Sequence, residues 1–409
     1  MASKKPINVY SEIGQLKEVI VQRPGQELEN FNVSEEAEFL MDGDLDAMTA
    51  AKEHDSFVSI LKKNGVKVFY FQDLFANTWS KVTPSIKKTF LDTFIKEAKI
   101  KSSSDAKKVY CYLMKLKPSQ FVRKLIEGVE PYDLDPNGPN DDKFFMKPLA
   151  NIYFQRDNFS SIGNCISINK MKYEIRQREN LMSEFVFKYN QKFKGTKFVY
   201  SRNSKNTIEG GDIFPYTEDT LVVGISERTS LASVLELSKN LKSNKENFKK
   251  VVCINVPKIG RLMHLDTWLT MLDKNKFLYS PNAVKDFKFW EIDLTAKSIV
   301  AKETKEKDLS SIIEKIIGEQ PILIPVAGNK SPNEVDRETK YDGTNYLVIK
   351  PGHVVGYKRN KYTNAALKKA GIKVYEFDGN ELSLGEGNAR CMSMPIYREP
   401  VNFSKKNKK

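Results

Sequence analysis

The sequence predicts an α/β fold in which strand–helix–strand modules repeat in a closed or propeller-like array, with an all-helical segment inserted near the N-terminal end. Three observations carry this expectation. Leu61-Lys62-Lys63-Asn64-Gly65-Val66-Lys67-Val68-Phe69-Tyr70-Phe71 is echoed far downstream by Leu367-Lys368-Lys369-Ala370-Gly371-Ile372-Lys373-Val374-Tyr375-Glu376-Phe377. Each copy reads as a helix end, a glycine where the C-cap needs a left-handed residue, and an apolar strand. A looser echo pairs Val222-Val223-Gly224 with Val354-Val355-Gly356; an arginine (Arg228, Arg359) and a helical stretch follow each. Between Leu74 and Leu134 the alternation stops and the pattern is helical throughout.

In chain order, Met1 to Pro6 runs straight into a strand-like segment, without the apolar stretch of a secretory signal. No apolar run approaches the ~20 residues of a membrane span, so a soluble, cytoplasmic protein with no membrane partner is expected. Within the helical segment, Thr83-Pro84 supplies an N-cap followed by proline at the first helical position. Ile86, Phe90, Phe94 and Ile95 then build one apolar face. A second helix fits from Ser104-Asp105 onwards, and a third carries Phe121, Val122, Leu125 and Ile126 before Gly128. Asp135-Pro136-Asn137-Gly138-Pro139-Asn140 is a turn-rich return linker. The expected division is residues 1–73 as a first module, 74–142 as the helical insert and 143–409 as the remaining modules.

Composition narrows the function classes. A chain of 409 residues with 40% apolar side chains can fill one large core or two ordinary ones. The net charge of +14 raises the question of nucleic acid. The excess is mostly lysine scattered among 52 acidic residues, however, and the one compact basic run is the tail Ser404 to Lys409. With no nucleic-acid motif, no such partner is expected. The four cysteines show no CxxC pairing, which favours free thiols. The three histidines form neither HExxH nor a Cys/His cluster, so no metal is expected.

Four segments hold chemistry-bearing residues. Cys391 follows a glycine-rich turn, Leu384-Gly385-Glu386-Gly387-Asn388-Ala389-Arg390-Cys391. A thiolate there would be a good nucleophile; a buried structural thiol fits the same pattern. His264 and Asp266 stand two apart, which in an extended segment places both on one face, an acid/base imidazole beside a cation-binding carboxylate. A core histidine satisfied by a neighbour is the plainer reading. Glu209 precedes a Gly-Gly pair. Asp157 closes the strand-like run from Asn151, where pairing with Arg156 would be the local alternative.

If these segments converge, Cys391, His264, Asp157, Glu209 and Asp266 form an anionic pocket suited to a planar cation with several N–H donors, a guanidinium. A free amino acid would also need cations for its carboxylate. Arg176 and Arg228 are candidates, although each has a glutamate nearby in sequence and fits a local ion pair equally.

Several motifs in one order carry a resemblance: Met263-His264-Leu265-Asp266-Thr267-Trp268-Leu269-Thr270-Met271-Leu272-Asp273, Ile208-Glu209-Gly210-Gly211-Asp212, and Gly387-Asn388-Ala389-Arg390-Cys391-Met392-Ser393-Met394-Pro395. Tyr10-Ser11-Glu12-Ile13-Gly14, Arg23-Pro24-Gly25 and Ala51-Lys52-Glu53-His54-Asp55 fit as well. The chain resembles bacterial arginine deiminases, most of all mycoplasmal ones, over nearly its whole length. The resemblance implies a five-bladed pseudo-symmetric α/β propeller with an inserted helical domain, and hydrolysis of free L-arginine to citrulline and ammonia without cofactor or metal.

On the same basis Cys391 is the implied nucleophile, forming a covalent amidino intermediate, and His264 the acid and then base. Asp157 and Asp266 would bind guanidinium nitrogens, with Glu209 beside His264. Asn151, Arg176 and Arg228 would hold the carboxylate, Phe154 would pack on the guanidinium plane, and a homodimer is implied. Related hydrolases of agmatine or methylarginine, and a catalytically decayed relative, are the alternatives. This chain departs from the family at Gln155 and Asn158, usually Thr and Pro, at Gln22, often His, and at Glu386, elsewhere Arg or Met. A carboxylate at position 386 is expected to alter the pH optimum or arginine affinity.

Overall fold

The computed structural model describes residues 5–137, 144–257, 262–283, 287–328 and 330–403. Residues 138–140 of the expected return linker, Gly260 and Arg261 ahead of His264, and the basic tail 404–409 lie outside the described residues. Among the described residues the strands form five mixed sheets, four of three strands and one of five.

One pairing pattern recurs in all five. A middle strand runs antiparallel to its first neighbour and parallel to the next. The middle strands are Leu16–Val21, Cys165–Ile168, Thr220–Ile225, Lys276–Tyr279 and His353–Tyr357. A parallel neighbour demands a crossover, and a helix lies on each: Ala47–Lys63, Gln177–Tyr189, Leu231–Ser243, Leu309–Ile317 and Lys361–Lys369. The first sheet draws its antiparallel strand, Ser393–Arg398, from the far end of the chain, so the sheet that begins the sequence is completed by the residues just after Cys391.

The two sequence echoes fall where this repeat puts them. Asp46 caps helix Ala47–Lys63 by accepting from the Thr49 amide at 2.6 Å. The helix ends at Asn64, and Gly65 follows at φ +75°. Gly371 ends the later copy at φ +78°. A β-carbon would disfavour that left-handed backbone in both. Parallel strands Lys67–Tyr70 and Lys373–Phe377 come next. Val222-Val223-Gly224 and Val354-Val355-Gly356 occupy the middle strands of the third and fifth sheets.

The helical segment contains five helices rather than the three expected: Phe71–Lys81, Pro84–Glu97, Ser103–Lys115, Pro118–Glu127 and Pro131–Leu134. It starts directly off strand Lys67–Tyr70, earlier than Leu74, because Phe71 and Phe75 already share the buried helical face. Thr83 and Ser102 are the N-caps of the second and third helices, accepting from Ile86 and Asp105 amides.

These helices do not close on a core of their own. The Trp79 ring stacks on Phe121 at 3.9 Å, and Phe75 lies 4.9 Å from Phe185 of helix Gln177–Tyr189. The same apolar cluster includes Phe159, Ile166 and Ile168 of the second sheet. No helix among the described residues is long and apolar enough to cross a membrane. Removing the buried indole at this junction leaves a large cavity. Trp79→Ala is therefore expected to lower unfolding free energy by about 3–5 kcal/mol, read as a lower denaturant midpoint.

Candidate active site

The site is assembled from short turns at strand ends. Residues Gln155–Asn158 form one helical turn before strand Phe159–Ile162, so Asp157 lies inside a turn and does not close a strand. The reason is local: Phe154 N–H donates to Asn151 O at 3.0 Å and Gln155 Nε2 to Ile152 O at 2.7 Å, curling the chain before it can extend. The departure Gln155 thus serves the turn. Arg156 does not pair with Asp157; it approaches Glu12 at 3.8 Å.

His264 is itself extended, but residues Leu265–Thr267 form a 3-10 turn, closed by the Thr267 amide and hydroxyl donating to His264 O at 3.2 and 2.6 Å. The expected shared face of His264 and Asp266 is therefore not formed. His264 Nε2 lies 2.8 Å from Glu209 Oε2, whereas Asp266 Oδ2 accepts from Arg390 Nη1 at 2.7 Å and faces the Cys391 sulfur at 3.6 Å. Glu209 is followed by the turn Gly210–Asp212, and a β-carbon at Gly211 would sit 2.6 Å from the imidazole. Only glycine lets His264 lie there.

The segments converge. Asn151, Phe154, Asp157, Arg176, Arg228, His264 and Cys391 line one cavity together with Glu386. Glu209 and Asp266 stand behind the lining, against His264 and Cys391. The cavity measures about 20 Å³, space on the scale of one water molecule.

Buried charges there are matched in pairs. Arg176 donates to Asp157 Oδ2 and Glu179 Oε2, both at 3.0 Å, so its sequence-local pair and its reach into the site coexist. Arg228 donates to Glu209 Oε2 at 3.1 Å, lies over the Tyr173 ring at 4.5 Å, and turns Nη2 towards the Met263 sulfur. Asn151 Nδ2 donates to Phe39 O at 2.5 Å. Two carboxylate oxygens stand apart: Asp157 Oδ1 and Asp266 Oδ1 are buried without a hydrogen-bond partner among the described residues. Unsatisfied buried acceptors are costly, and such costs concentrate where a ligand supplies the missing donors.

Protonation follows from this arrangement. Burial alone would discharge His264, but the Glu209 hydrogen bond and the Asp157 and Asp212 carboxylates outweigh it and hold the imidazole up at about 9. Burial would raise Glu209, yet Arg228, His264 and Arg176 keep it well below the ordinary carboxylate range. Burial, reinforced by Asp266 and Asp157, drives the Cys391 thiol far above its usual value. These shifts favour a thiol beside an imidazolium at neutral pH.

Residues not singled out as candidates from the sequence complete the support. Arg390, fully buried over the Phe214 ring, binds Glu12 Oε2 at 3.1 Å as well as Asp266. Asn345 Oδ1 accepts the Cys391 amide at 2.9 Å. Arg390 and Glu12 lay inside the motifs that carried the family resemblance, the one signal that could have raised them; Asn345 had none. Among the described residues, no group of three or more His, Cys, Asp or Glu side chains is placed to hold a metal ion.

Comparison with known proteins points to one family. The arginine deiminase family model matches residues 37–398. The chain is 45% identical to an arginine deiminase of Metamycoplasma hominis, over 97% of this chain and 98% of that protein. It is 43% identical to a putative arginine deiminase of Mycoplasma pneumoniae, over 97% and 100%. Among solved structures, an amidinotransferase from Microseira wollei in a saxitoxin biosynthetic pathway aligns with TM-score 0.58 at 17% identity, over 97% and 98% of the chains. At that identity the likeness concerns the fold, an α/β arrangement of mixed sheets and helices.

The three histidines of the chain make the electrostatics measurable. By NMR titration one imidazole, His264, is expected to titrate near 9, and buried, partnerless His54 near 3. The folded value of His264 lies above its ordinary 6.5. Its ion pair therefore stabilises the fold in full below about pH 6.5, and that contribution is lost as pH rises through about 9.

Proposed function

This chain belongs to the arginine deiminase family, and on that premise we propose that it hydrolyses free L-arginine to L-citrulline and ammonia through a covalent intermediate on Cys391. The observation that carries the reading is the pair of partnerless carboxylate oxygens, Asp157 Oδ1 and Asp266 Oδ1, buried beside the Cys391 sulfur and His264. A guanidinium offers N–H donors on two edges and a carbon between them. Bound to both aspartates, it would present that carbon to the sulfur.

The charge state supports substrate-assisted activation. A thiol raised by two carboxylates becomes easier to ionise once a cation lies against them, and its proton passes to solvent as arginine enters. The thiolate attacks the guanidinium carbon, and the tetrahedral adduct expels one nitrogen as ammonia, with a proton from the His264 imidazolium. This leaves an amidino-thioether. Neutral His264 then takes a proton from water as its oxygen attacks the same carbon; the carbon–sulfur bond breaks and the new hydroxyl releases its proton to solvent, where ammonia takes it up, giving the ureido group of citrulline and the thiolate. Glu209 holds His264 in place for both proton transfers.

Arg228 and Arg176 favour a substrate with a carboxylate over agmatine. Arg228 has the freer guanidinium edge, since among the described residues its Nη2 donates only to a thioether, whereas Arg176 is committed to Asp157 and Glu179. Asn151 and Phe154 belong to the same lining, Phe154 offering a ring to the guanidinium plane.

The five repeated sheets support reading the fold as a five-bladed propeller, with residues 1–73, 74–142 and 143–409 as first module, helical insert and remaining modules. From the family reading we also place the enzyme in the cytoplasm as a homodimer, which light scattering on the purified protein tests.

Purified protein, after chelation of metals, is expected to release citrulline and ammonia in equal amounts from L-arginine. Cys391→Ala should retain less than about a hundredth of the rate; more than that refutes the covalent route. Asp266→Asn is expected to lower kcat/KM by about a hundredfold, the scale of breaking a buried charge pair.

A further inference from the structure

Two motifs, Arg23-Pro24-Gly25 and Ala51-Lys52-Glu53-His54-Asp55, have no part in the chemistry above. Their geometry divides them. Asp55 accepts both ends of an Arg23 guanidinium at 2.8 Å on the surface. His54 packs edge-on to Phe57, whose ring lies 5.3 Å from Phe377 at the end of the last parallel strand. Glu53 points the other way. Its carboxylate is buried and accepts three consecutive amides, those of Asn380, Glu381 and Leu382, at 2.8, 3.1 and 3.0 Å.

Those amides head the turn Leu382–Gly385, and the next residues, Gly385 and Glu386, line the substrate cavity a few positions before Cys391. Other ties reach the same loop. Arg359, stacked on Tyr341, donates to Ser383 Oγ, the Asp46 amide donates to Glu381 Oε2 at 3.1 Å, and the Asp42 amide donates to Leu384 O at 2.9 Å. The Glu53 tie spreads one carboxylate over three amides, and it joins the first module's helix to a loop more than three hundred residues later.

We infer that Glu53 is a positioning residue, whose carboxylate fixes loop 380–386 against the substrate cavity and so sets both arginine binding and access to Cys391. The inference rests on the reading of that cavity as the arginine site. A carboxylate spread over three amides aligns their dipoles, as an anion does at a helix N-terminus, and defines where the following turn begins. Without it the loop loses its strongest tie while Cys391, on its own Asn345 hydrogen bond, keeps its place. The two consequences have opposite signs: arginine is held less well, and the cavity, now nearly closed, admits small reagents more readily.

The test compares wild type with Glu53→Ala, Glu53→Gln and Asp55→Asn. Arginine turnover is measured alongside the rate at which iodoacetamide alkylates Cys391, followed on its own peptide by mass spectrometry because Cys111 is exposed and alkylates as well. Glu53→Ala is expected to raise KM by about tenfold, the scale of one charge-assisted hydrogen bond, with a smaller change in kcat. Alkylation should accelerate by a similar factor. Glu53→Gln, which keeps one acceptor, should fall between, and Asp55→Asn should match wild type in both.

Wild-type KM and alkylation in both Glu53 variants would overturn the inference. So would lost turnover with a lowered Tm and unchanged alkylation, the pattern of a merely structural role. If Glu53→Ala does not fold, Glu53→Gln decides. A wild-type protein inactive on arginine would refute the proposed function, and the alkylation arm would still decide the role of Glu53.

Discussion

The site depends on one buried contact chain, Cys391–Asp266–Arg390–Glu12. Arg390 lies between two buried carboxylates, binding Asp266 at 2.7 Å and Glu12 at 3.1 Å. It is adjacent in sequence to Cys391, so one peptide unit carries both the sulfur and the cation that anchors the carboxylate facing it. A buried carboxylate without a paired cation is costly, and Arg390 offsets that cost for Asp266. Breaking such a pair from one side leaves an uncompensated charge, typically about 3–5 kcal/mol. The arrangement is better understood as pairing the buried carboxylate that faces Cys391 than as a source of stability.

The rest of the pocket obeys the same constraint. Glu209 has Arg228 and His264; Asp157 has Arg176, which Glu179 also holds. Matched this closely, the site has little to gain from an anionic sulfur, and burial beside Asp266 and Asp157 holds the Cys391 thiol far above its usual range. On the proposed reading, a planar cation entering between Asp157 and Asp266 tips the balance: it satisfies the two oxygens left without a hydrogen bond and lets a negative charge develop on sulfur without leaving the interior unbalanced. Recognition and activation would then stem from the same electrostatic event.

Much of this was legible in the sequence, and the gaps have physical reasons. The echoes around Gly65 and Gly371 are local, since helix end, left-handed glycine and apolar strand lie within eleven residues or so, the range over which sequence pattern dictates backbone. The errors also lay in local backbone. Residues around Asp157 and Asp266 alternate like strands, yet each sits in a single helical turn closed by a side-chain hydrogen bond, from Gln155 in one and Thr267 in the other. Periodicity does not register a turn that short. The partnership of Glu12 with Arg390 spans nearly the whole chain, and nothing at either end states it.

The repeat explains why catalysis and scaffolding draw on the same positions. After the middle strand, and before or at the start of the helix that follows, four of the five units place an arginine: Arg23, Arg176, Arg228 and Arg359. Each finds a different partner. Arg176 and Arg228 bind the carboxylates of the pocket, Arg359 braces the loop that closes it, and Arg23 pairs with Asp55 on the surface. In these four copies the segment between strand and helix carries a long cation, and the sequence around it decides what the cation meets. Where a glutamate or aspartate from the neighbouring turn is buried opposite, the arginine becomes part of the chemistry. Where a backbone carbonyl or a hydroxyl faces it, the same side chain holds the pocket in shape. The function thus arises from which copies of one device were given buried anions.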